Sequence, residues 1–284
     1  MNVTLIDGAN LLMRAVYALS KRYSENPGLA AEPLSTFASM IAKYCRLTSP
    51  SKVMLCWDSD HSDFRRKILP TYKGQRLPAP ESDGPDIFDK AKELVTALGL
   101  EQFEVPGVEA DDIISEYVRM YKSENVHIIS ADKDFSQLLD EKVTIWHPGD
   151  NNPLTLDRWN RQNGFTPEQY VLILALTGDK VDNIPGVKGY GPKTAIKKLA
   201  ASDWSIVQMI RDAGEDFDSE TFIRNAALVD LRSGYIKVDV PPIGWFNPVE
   251  GPKDPRWPQL LKYLDDNKLK MIRYNMIQGK LWEV

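Results

Sequence analysis

The 284 residues are 43% hydrophobic and carry a net charge of −5, which places the chain among ordinary globular proteins and sets disorder aside. No apolar run approaches the ~20 residues that span a bilayer, and the first residues, MNVTLIDGANLL, lack the basic start of a secretory leader and meet Asp7 at once. Cys45 and Cys56 stand in no metal-like spacing, so both are expected as reduced apolar fillers in a cytoplasmic protein.

VTLID (3–7) is a short apolar run and predicts a buried strand; GANLLMRAVYALSK after it has helical spacing. STFASMIAKYCRL (35–47) predicts another helix and KVMLCWD (52–58) a second buried strand. Then come an amphipathic helix in DIFDKAKELVTALGL (86–100), a short strand in EQFEVP and a helix in EADDIISEYVRMYKSE. VHIISAD (126–132) reads as a strand, KDFSQLLD as a helical turn and KVTIWH (142–147) as a strand. Short apolar strands separated by helices imply an α/β domain with a mainly parallel sheet. From about residue 150 the period is helical, through LDRWNRQNG, TPEQYVLILALTG, GPKTAIKKLAAS, SIVQMIRDAG and SETFIRNAALVDL. Thr166 and Pro167 supply a helix cap and a first helical position. Residues 241–258 are proline-rich and expected to be irregular, and the apolar residues of the last 26 must pack on something.

Asp7, Asp58 and Asp132 close three predicted strands, with Asp134 just beyond. Ligands of open parallel sheets bind outside the carboxyl ends of the strands. Glu109, Asp111 and Asp112 stand at a helix start, and Asp179 and Asp182 at the end of an apolar helix. Each acid alone reads equally well as a cap or a dipole partner. Together, nine acids at the ends of apolar elements would crowd one volume, and crowded carboxylates need compensation. Hard divalent cations supply it through oxygen ligands. His61, His127 and His147 are scattered, which argues against zinc and leaves Mg²⁺, or Mn²⁺ in its place. So many acids suggest two ions, an arrangement that carries phosphoryl chemistry. Setting the nine aside turns −5 into +4, so the remainder is mildly basic and a nucleic-acid partner stays open.

FRRKILPTYKGQR (64–76) holds Arg65, Arg66, Lys67, Lys73 and Arg76 without an acid, interleaved with Phe64 and Tyr72. Cations on phosphates and a ring on a base suit single-stranded nucleic acid; a solvated basic surface is the plain alternative. In GDKVDNIPGVKGYGPKTA (178–195), Gly186 and Gly191 have the spacing of a nucleotide loop, but Pro192 stands where its lysine must be. A dinucleotide fingerprint fails too, because Thr194 replaces its third glycine. What remains is a helix in VLILALTGDKVDNI (171–184), a turn with Gly186, Gly189 and Gly191, and a helix from Pro192 whose N-terminus suits a phosphate. Lys188, Lys193, Lys197 and Lys198 add charge, and such a contact ignores base identity. An ordinary helix corner is the alternative.

IDGANLLMRAVYA, FRRKILPTYKGQR, EVPGVEADDII, SADKDFSQLL and GDKVDNIPGVKGYGPKTA, in that order over residues 1–200, resemble the 5′-nuclease family. That family comprises phage-type flap endonucleases and the 5′-nuclease domain of bacterial DNA polymerase I. The resemblance implies a PIN-like α/β nuclease core over 1–165, with an arch or gateway at about 60–90. It implies a helical DNA-binding module over 166–284, with a helix–three-turn–helix at about 170–200 and a C-terminal tail. The implied activity is divalent-metal-dependent 5′ nuclease, both flap endonuclease and 5′→3′ exonuclease, in primer removal and repair. The implied substrate is DNA with a 5′ flap or 5′ single-stranded end, with RNA–DNA hybrid as an extension. A monomer in the cytoplasm of a bacterial or phage-infected cell is expected.

By the same resemblance, Asp7, Asp58, Glu109, Asp111 and Asp132 match a first-metal cluster, directly or through water. Asp111, Asp132, Asp134, Asp179 and Asp182 match the second-metal side, and Asp112 belongs to the same acidic pattern at its outer edge. Lys73 matches the active-site lysine, and Tyr72 and Arg76 match gateway residues. Lys73, Arg76, Asp134 and Asp182 are thus the expected catalytic set. Arg65, Arg66, Tyr72, Lys73 and Arg76, with Gly186, Lys188, Gly189, Gly191, Lys193 and Thr194, are the expected DNA contacts. Relatives hold a monovalent cation such as K⁺ at the glycine turn. Two other readings stand beside this one, a PIN-type ribonuclease and a non-catalytic DNA-binding scaffold. The glycine-turn module argues against the first and the filled acidic positions against the second.

Overall fold

A computed structural model describes residues 1–25, 33–59, 62–75 and 85–282, with side chains described for all of these except 19–25 and 85–86. The strands β1 (Asn2–Asp7), β2 (Lys52–Trp57), β3 (Glu101–Glu104), β4 (Asn125–Ile129) and β5 (Val143–Trp146) form one sheet in the order β3-β2-β1-β4-β5. Every pairing in it is parallel, as the alternation of short apolar runs with helices predicts.

Alternate residues of each strand feed opposite layers. Ile6, Leu55 and Ile129 face a layer with α1 (Gly8–Glu25) and α2 (Pro33–Thr48), through Leu11, Leu12, Phe37 and Ile41. Leu5, Met54, Cys56 and Ile128 face the other layer, where Ile113, Ile114 and Tyr117 of α5 (Ala110–Met120) pack. Burial on both faces is why these strands read as continuous apolar runs. The short α3 (Asp63–Ile68) and then α4 (Pro85–Ala97) lie between β2 and β3 in the chain. Both cysteines are free and buried.

Strand order reverses between β1 and β4, because β2 and β3 extend to one side and β4 and β5 to the other. A crevice opens at such a switch point, at the carboxyl ends of the strands. The register pairs Asp7 with Cys56 and Ile6 with Ile129, so the ends of β1, β2 and β4 lie level. Asp7, Asp58 and residues 130–132 therefore leave the sheet at one edge.

The helical part follows α6 (Leu156–Gln162). It comprises α7 (Pro167–Thr177), α8 (Pro192–Ala201), α9 (Ile206–Ala213) and α10 (Ser219–Val229), around a core that includes Leu174, Leu176, Val187, Leu199, Phe222 and Leu228. Thr166 caps α7 by accepting the Gln169 amide at 3.3 Å, and the Gln169 side chain accepts the Thr166 amide at 2.9 Å. This reciprocal capping box, with Pro167 behind it, fixes where the helix starts. The sequence reading runs this helix on through Ile184; the structure ends it at Thr177. Gly178 adopts φ +65°, and a Cβ there would collide with the Ile184 carbonyl. Beyond it β6 (Gly178–Asp179) and β7 (Ile184–Pro185) pair antiparallel. Asp179 and Asp182 thus sit on a tight hairpin instead of a helix end.

The tail departs from the expected division of the chain. An extended segment donates the Gly244 amide to Glu101 at 3.0 Å, the Phe246 amide to Ser51 O at 2.8 Å and the Val249 amide to Leu98 O at 2.9 Å. It leads back to α11 (Trp257–Asp266) and α12 (Lys270–Ile277). Their Trp257, Leu260, Leu264, Ile272 and Met276 join the layer that holds Phe37 and Leu94. The apolar residues of the last stretch are buried on the sheet domain, not on the helical module. No helix of the described residues is long and apolar enough to cross a membrane.

Candidate active site

Asp7 is buried at the end of β1. Its Oδ1 accepts the Asn10 amide at 3.0 Å and its Oδ2 the Ser130 hydroxyl at 2.9 Å. Burial, and then the charge of Asp58, push its pKa up. Asp58 accepts the Ala110 amide at 2.8 Å and so ties the start of α5 to the end of β2. Loss of water, and then the Asp132 charge, lift Asp111 on α5 well above the usual carboxylate range. Asp132 caps the 3₁₀ turn Lys133–Leu138 by accepting the Asp134 amide at 2.8 Å. Its pKa is raised, mainly by burial. Burial and then Asp132 raise Asp134 to about 7. The Asp134 Oδ1 is buried and has no hydrogen-bond partner among the described residues.

Glu109 and Asp112 have a different setting. Arg65 on α3 is 5% exposed. Its Nη1 donates to Glu109 and to Asp112 at 2.7 Å each, its Nη2 to Asp112 at 2.9 Å and its Nε to Leu228 O at 3.0 Å. Asp112 is thereby committed to Arg65 through both oxygens. The second Glu109 oxygen accepts the Lys73 ammonium. Burial pushes Glu109 up, but Arg65 and Lys73 outweigh it and hold the pKa below its ordinary value. Arg65, expected on DNA phosphates, is instead an internal counter-ion in this structure.

The segment carrying Lys73 docks on the hairpin. The Lys73 amide donates to Asp182 O at 2.9 Å, and the Asn183 side chain donates to Thr71 O at 2.8 Å. Lys73 itself takes φ +53°, a left-handed conformation that costs a non-glycine residue ~1–2 kcal/mol. Tyr72 is 3% exposed and donates to Glu109 at 3.0 Å or Asp182 at 3.2 Å. Its ring face is covered, so the expected base-stacking surface is not presented. Arg66 and Lys67 are exposed. Arg76, His61 and much of the expected arch at 60–90 lie outside the described residues.

Asp179 accepts the Val181 amide at 2.7 Å and the Lys133 ammonium at 3.2 Å. In the glycine turn, the Val187 amide returns to Leu176 O at 2.8 Å. Lys188, Gly189 and Lys193 are exposed, Gly189 takes φ +85°, and Thr194 is half-buried. Gly191 caps α8. The turn therefore leaves backbone, two lysines and a helix N-terminus exposed.

Ser130 and Lys133 escaped the sequence reading. The Ser130 hydroxyl donates to Asp7 and accepts the Asp132 amide at 3.0 Å, so it joins the ends of β1 and β4. The signal was a hydroxyl two residues before the strand-end acid in ISAD.

The residues suit a hard divalent cation. Among the described residues, no three of these acids converge closely enough to cage an ion by themselves. Mg²⁺ needs no such cage, because it keeps several waters and takes one or two carboxylates. The donors are all oxygen, one is buried without a partner among the described residues, and the acids raise one another's pKa. Cation binding relieves all three conditions.

A stability profile follows. Asp134 titrates near 3.8 when unfolded and about 7 when folded, so its protonated form favours the fold. Asp7, Asp111 and Asp132 act in the same direction, while Glu109 opposes them at the acid end. Metal-free protein is expected to lose stability as pH rises from about 4 to 7, and Mg²⁺ is expected to restore it at pH 7.5. Thermal melts in EDTA and in Mg²⁺ check this. A melting temperature indifferent to Mg²⁺ at pH 7.5 would exclude an ion here.

Comparison with known proteins bears on this geometry. The profile of the 5′-3′ exonuclease N-terminal resolvase-like domain matches residues 2–168, and that of the 5′-3′ exonuclease C-terminal SAM fold matches residues 165–225. The chain is 36% identical over 209 residues to the thermostable DNA polymerase I of Thermus caldophilus, covering 72% of this chain and 24% of that one. It thus spans about a quarter of the length of this polymerase relative. It is 33% identical over 233 residues to the 5′-3′ exonuclease of Aquifex aeolicus (strain VF5), covering 81% of this chain and 78% of that one. Among solved structures, the T5 5′-exonuclease with bound zinc aligns with a TM-score of 0.68 at 25% identity, over 82% of this chain and 90% of that one. The catalytic core of Rad2 in complex with DNA substrate shares the fold, with a TM-score of 0.59 at 15% identity over 98% and 92% of the two chains. With both of its domain profiles matched in order and a relative of similar length, the chain belongs to the 5′-3′ exonuclease family.

Proposed function

We propose that this protein is a divalent-metal-dependent, structure-specific 5′ nuclease that hydrolyses phosphodiester bonds in DNA bearing a 5′ flap or a 5′ single-stranded end. The observation that carries this reading is the level row of acids at the switch point, with a buried Asp134 oxygen that has no partner among the described residues and with the Lys73 ammonium held on Glu109. Family membership supports the same reading. Duplex backbone docks on the glycine turn and the N-terminus of α8. The 5′ strand reaches the acidic edge beside Lys73.

Asp7, Asp58, Asp111, Asp132 and Asp134 on the sheet side, and Asp179 and Asp182 on the hairpin, would hold the ions directly or through water. The chemistry such ions supply when bound is activation of a water and stabilisation of the leaving 3′ oxygen. Glu109 holds the Lys73 ammonium at the edge until substrate arrives, and Lys73 then offsets charge that develops on the scissile phosphate. The product carries a 5′-phosphate. Mg²⁺ as the working ion, Mn²⁺ as its substitute, K⁺ at the glycine turn, RNA–DNA hybrids as substrates and a monomeric cytoplasmic protein belong to the same proposal. So does a boundary between core and helical module near residue 165.

A labelled 5′-flap duplex incubated in Mg²⁺ and in EDTA tests the reading. Mg²⁺-dependent release of the flap is expected, and its absence overturns the proposal. Lys73→Ala is expected to lower turnover about 100-fold, the scale set by loss of one charge-stabilising group. Flap binding persists, because the glycine turn is untouched. Turnover at the wild-type rate would remove Lys73 from the mechanism.

A further inference from the structure

Asn225 on α10 is fully buried, yet the nuclease mechanism makes no use of it. Its Nδ2 donates to two main-chain carbonyls, Ala175 O at 3.0 Å and Pro185 O at 2.8 Å. Its Oδ1 accepts from the Arg224 guanidinium at 3.1 Å. Both Nδ2 partners are acceptors, so the orientation of the amide is fixed by chemistry.

The two carbonyls sit at a junction. Ala175 is in the last turn of α7, where helix carbonyls lack intrahelical donors. The neighbouring carbonyls are already taken, Leu174 O by the Gly178 amide and Leu176 O by the Val187 amide at 2.8 Å. Pro185 ends the hairpin that carries Asp179 and Asp182, and the glycine turn begins at Gly186. Here the two backbone runs touch so closely that a Cβ on Gly178 or Gly186 would overlap the opposing main chain. Asn225 clamps both runs at the root of the hairpin. On one side lie the acids, and on the other the surface assigned to duplex backbone.

We propose that Asn225 is a positioning residue that sets the distance between the duplex grip and the acids, and so selects which phosphodiester bond is cut. The inference rests on the nuclease reading above. Asn225 touches no substrate and acts through the carbonyls it holds. Without it, the buried Ala175 carbonyl and the part-buried Pro185 carbonyl lose their donor, and the hairpin gains freedom to shift against the turn. Loss of rate alone would follow from many structural faults. A change in the position of the cut follows from a change in this distance.

Asn225→Ala and the milder Asn225→Ser, which keeps a hydroxyl donor, test it on a labelled 5′-flap duplex resolved at single-nucleotide length. Wild type is expected to give one dominant product. In Asn225→Ala, the share of that product falls several-fold, neighbouring lengths appear, and KM rises more than kcat falls. Asn225→Ser gives a smaller spread in the same direction, and it decides the matter if the alanine variant fails to show a cooperative melt. Wild-type product lengths and KM in a folded variant overturn the proposal, as does a lower rate with an unchanged product pattern. Wild type that fails to cut in Mg²⁺ overturns the nuclease reading itself, and with it this inference.

Discussion

Asp134→Asn is expected to stabilise the metal-free protein at pH 8 and to slow cutting sharply. Both effects come from one atom. The Asp134 carboxyl is largely removed from water, and its Oδ1 has no partner among the described residues. Burial and the adjacent Asp132 hold its pKa near 7, so at pH 8 the fold must carry a charge that it disfavours. Asparagine has the same shape without that charge, and its amide adds a donor among acceptors. The expected gain is about 0.5–2 kcal/mol, the range of a single relieved fault at a functional site. At pH 5 the gain disappears, because Asp134 is then protonated in the folded protein. Cutting falls by about 10²–10³-fold, and the stabilisation by Mg²⁺ shrinks with it. Flap binding in the absence of metal is retained. Urea melts at pH 5 and pH 8, with flap cleavage, check the pair of effects. A variant destabilised at pH 8, or one that cuts within a few-fold of wild type, would show that the Asp134 charge has another purpose.

The trade-off explains why the acids were legible in the sequence and their counter-ions were not. Asp7, Asp58 and Asp132 stand directly after apolar runs, and parallel-sheet geometry places strand ends on one edge. Period and position were enough. Arg65 reads as surface because Arg66 and Lys67 flank it, and these two are exposed. Its partners lie 44 and 47 residues away, and no local pattern reports pairing at that range. The available clue was stoichiometric, since Glu109 and Asp112 flank Asp111 on a helix start and a buried set of acids requires an internal cation. Tyr72 misled for the same reason, as an aromatic among cations whose hydroxyl is claimed by distant carboxylates. The run from Val171 to Ile184 hid a helix end, because the stop is a single glycine in a left-handed conformation and the following VDNI keeps an apolar spacing. The return of α11 and α12 to the sheet domain depends on the path of an irregular segment, and composition says nothing about where such a path leads.

Arg65→Ala destabilises the protein by about 3–5 kcal/mol, the range for breaking a buried ion pair from one side. The guanidinium neutralises two carboxylates, Glu109 and Asp112, that are each 4% exposed. Removing it leaves Asp112 without the donors that meet both of its oxygens, and it leaves the Leu228 carbonyl without its donor from α3. Glu109 retains Tyr72 and Lys73, so the damage centres on Asp112 and on the contact between α3 and α10. At ~2–4 °C per kcal/mol for a chain of this size, the melting temperature drops by about 6–20 °C. Arg65→Lys keeps a positive charge but not the planar fork that reaches Glu109, Asp112 and Leu228 together, so its loss is intermediate. Arg66→Ala and Lys67→Ala, both at exposed positions, change stability by no more than about 0.5 kcal/mol. This ordering separates an internal counter-ion from a phosphate contact. If Arg65 served DNA alone, Arg65→Ala would melt with wild type and lose only binding. Thermal melts of the four variants without DNA decide between these outcomes. A melting temperature for Arg65→Ala within about 1 °C of wild type would return Arg65 to the nucleic-acid surface that its sequence neighbours suggest.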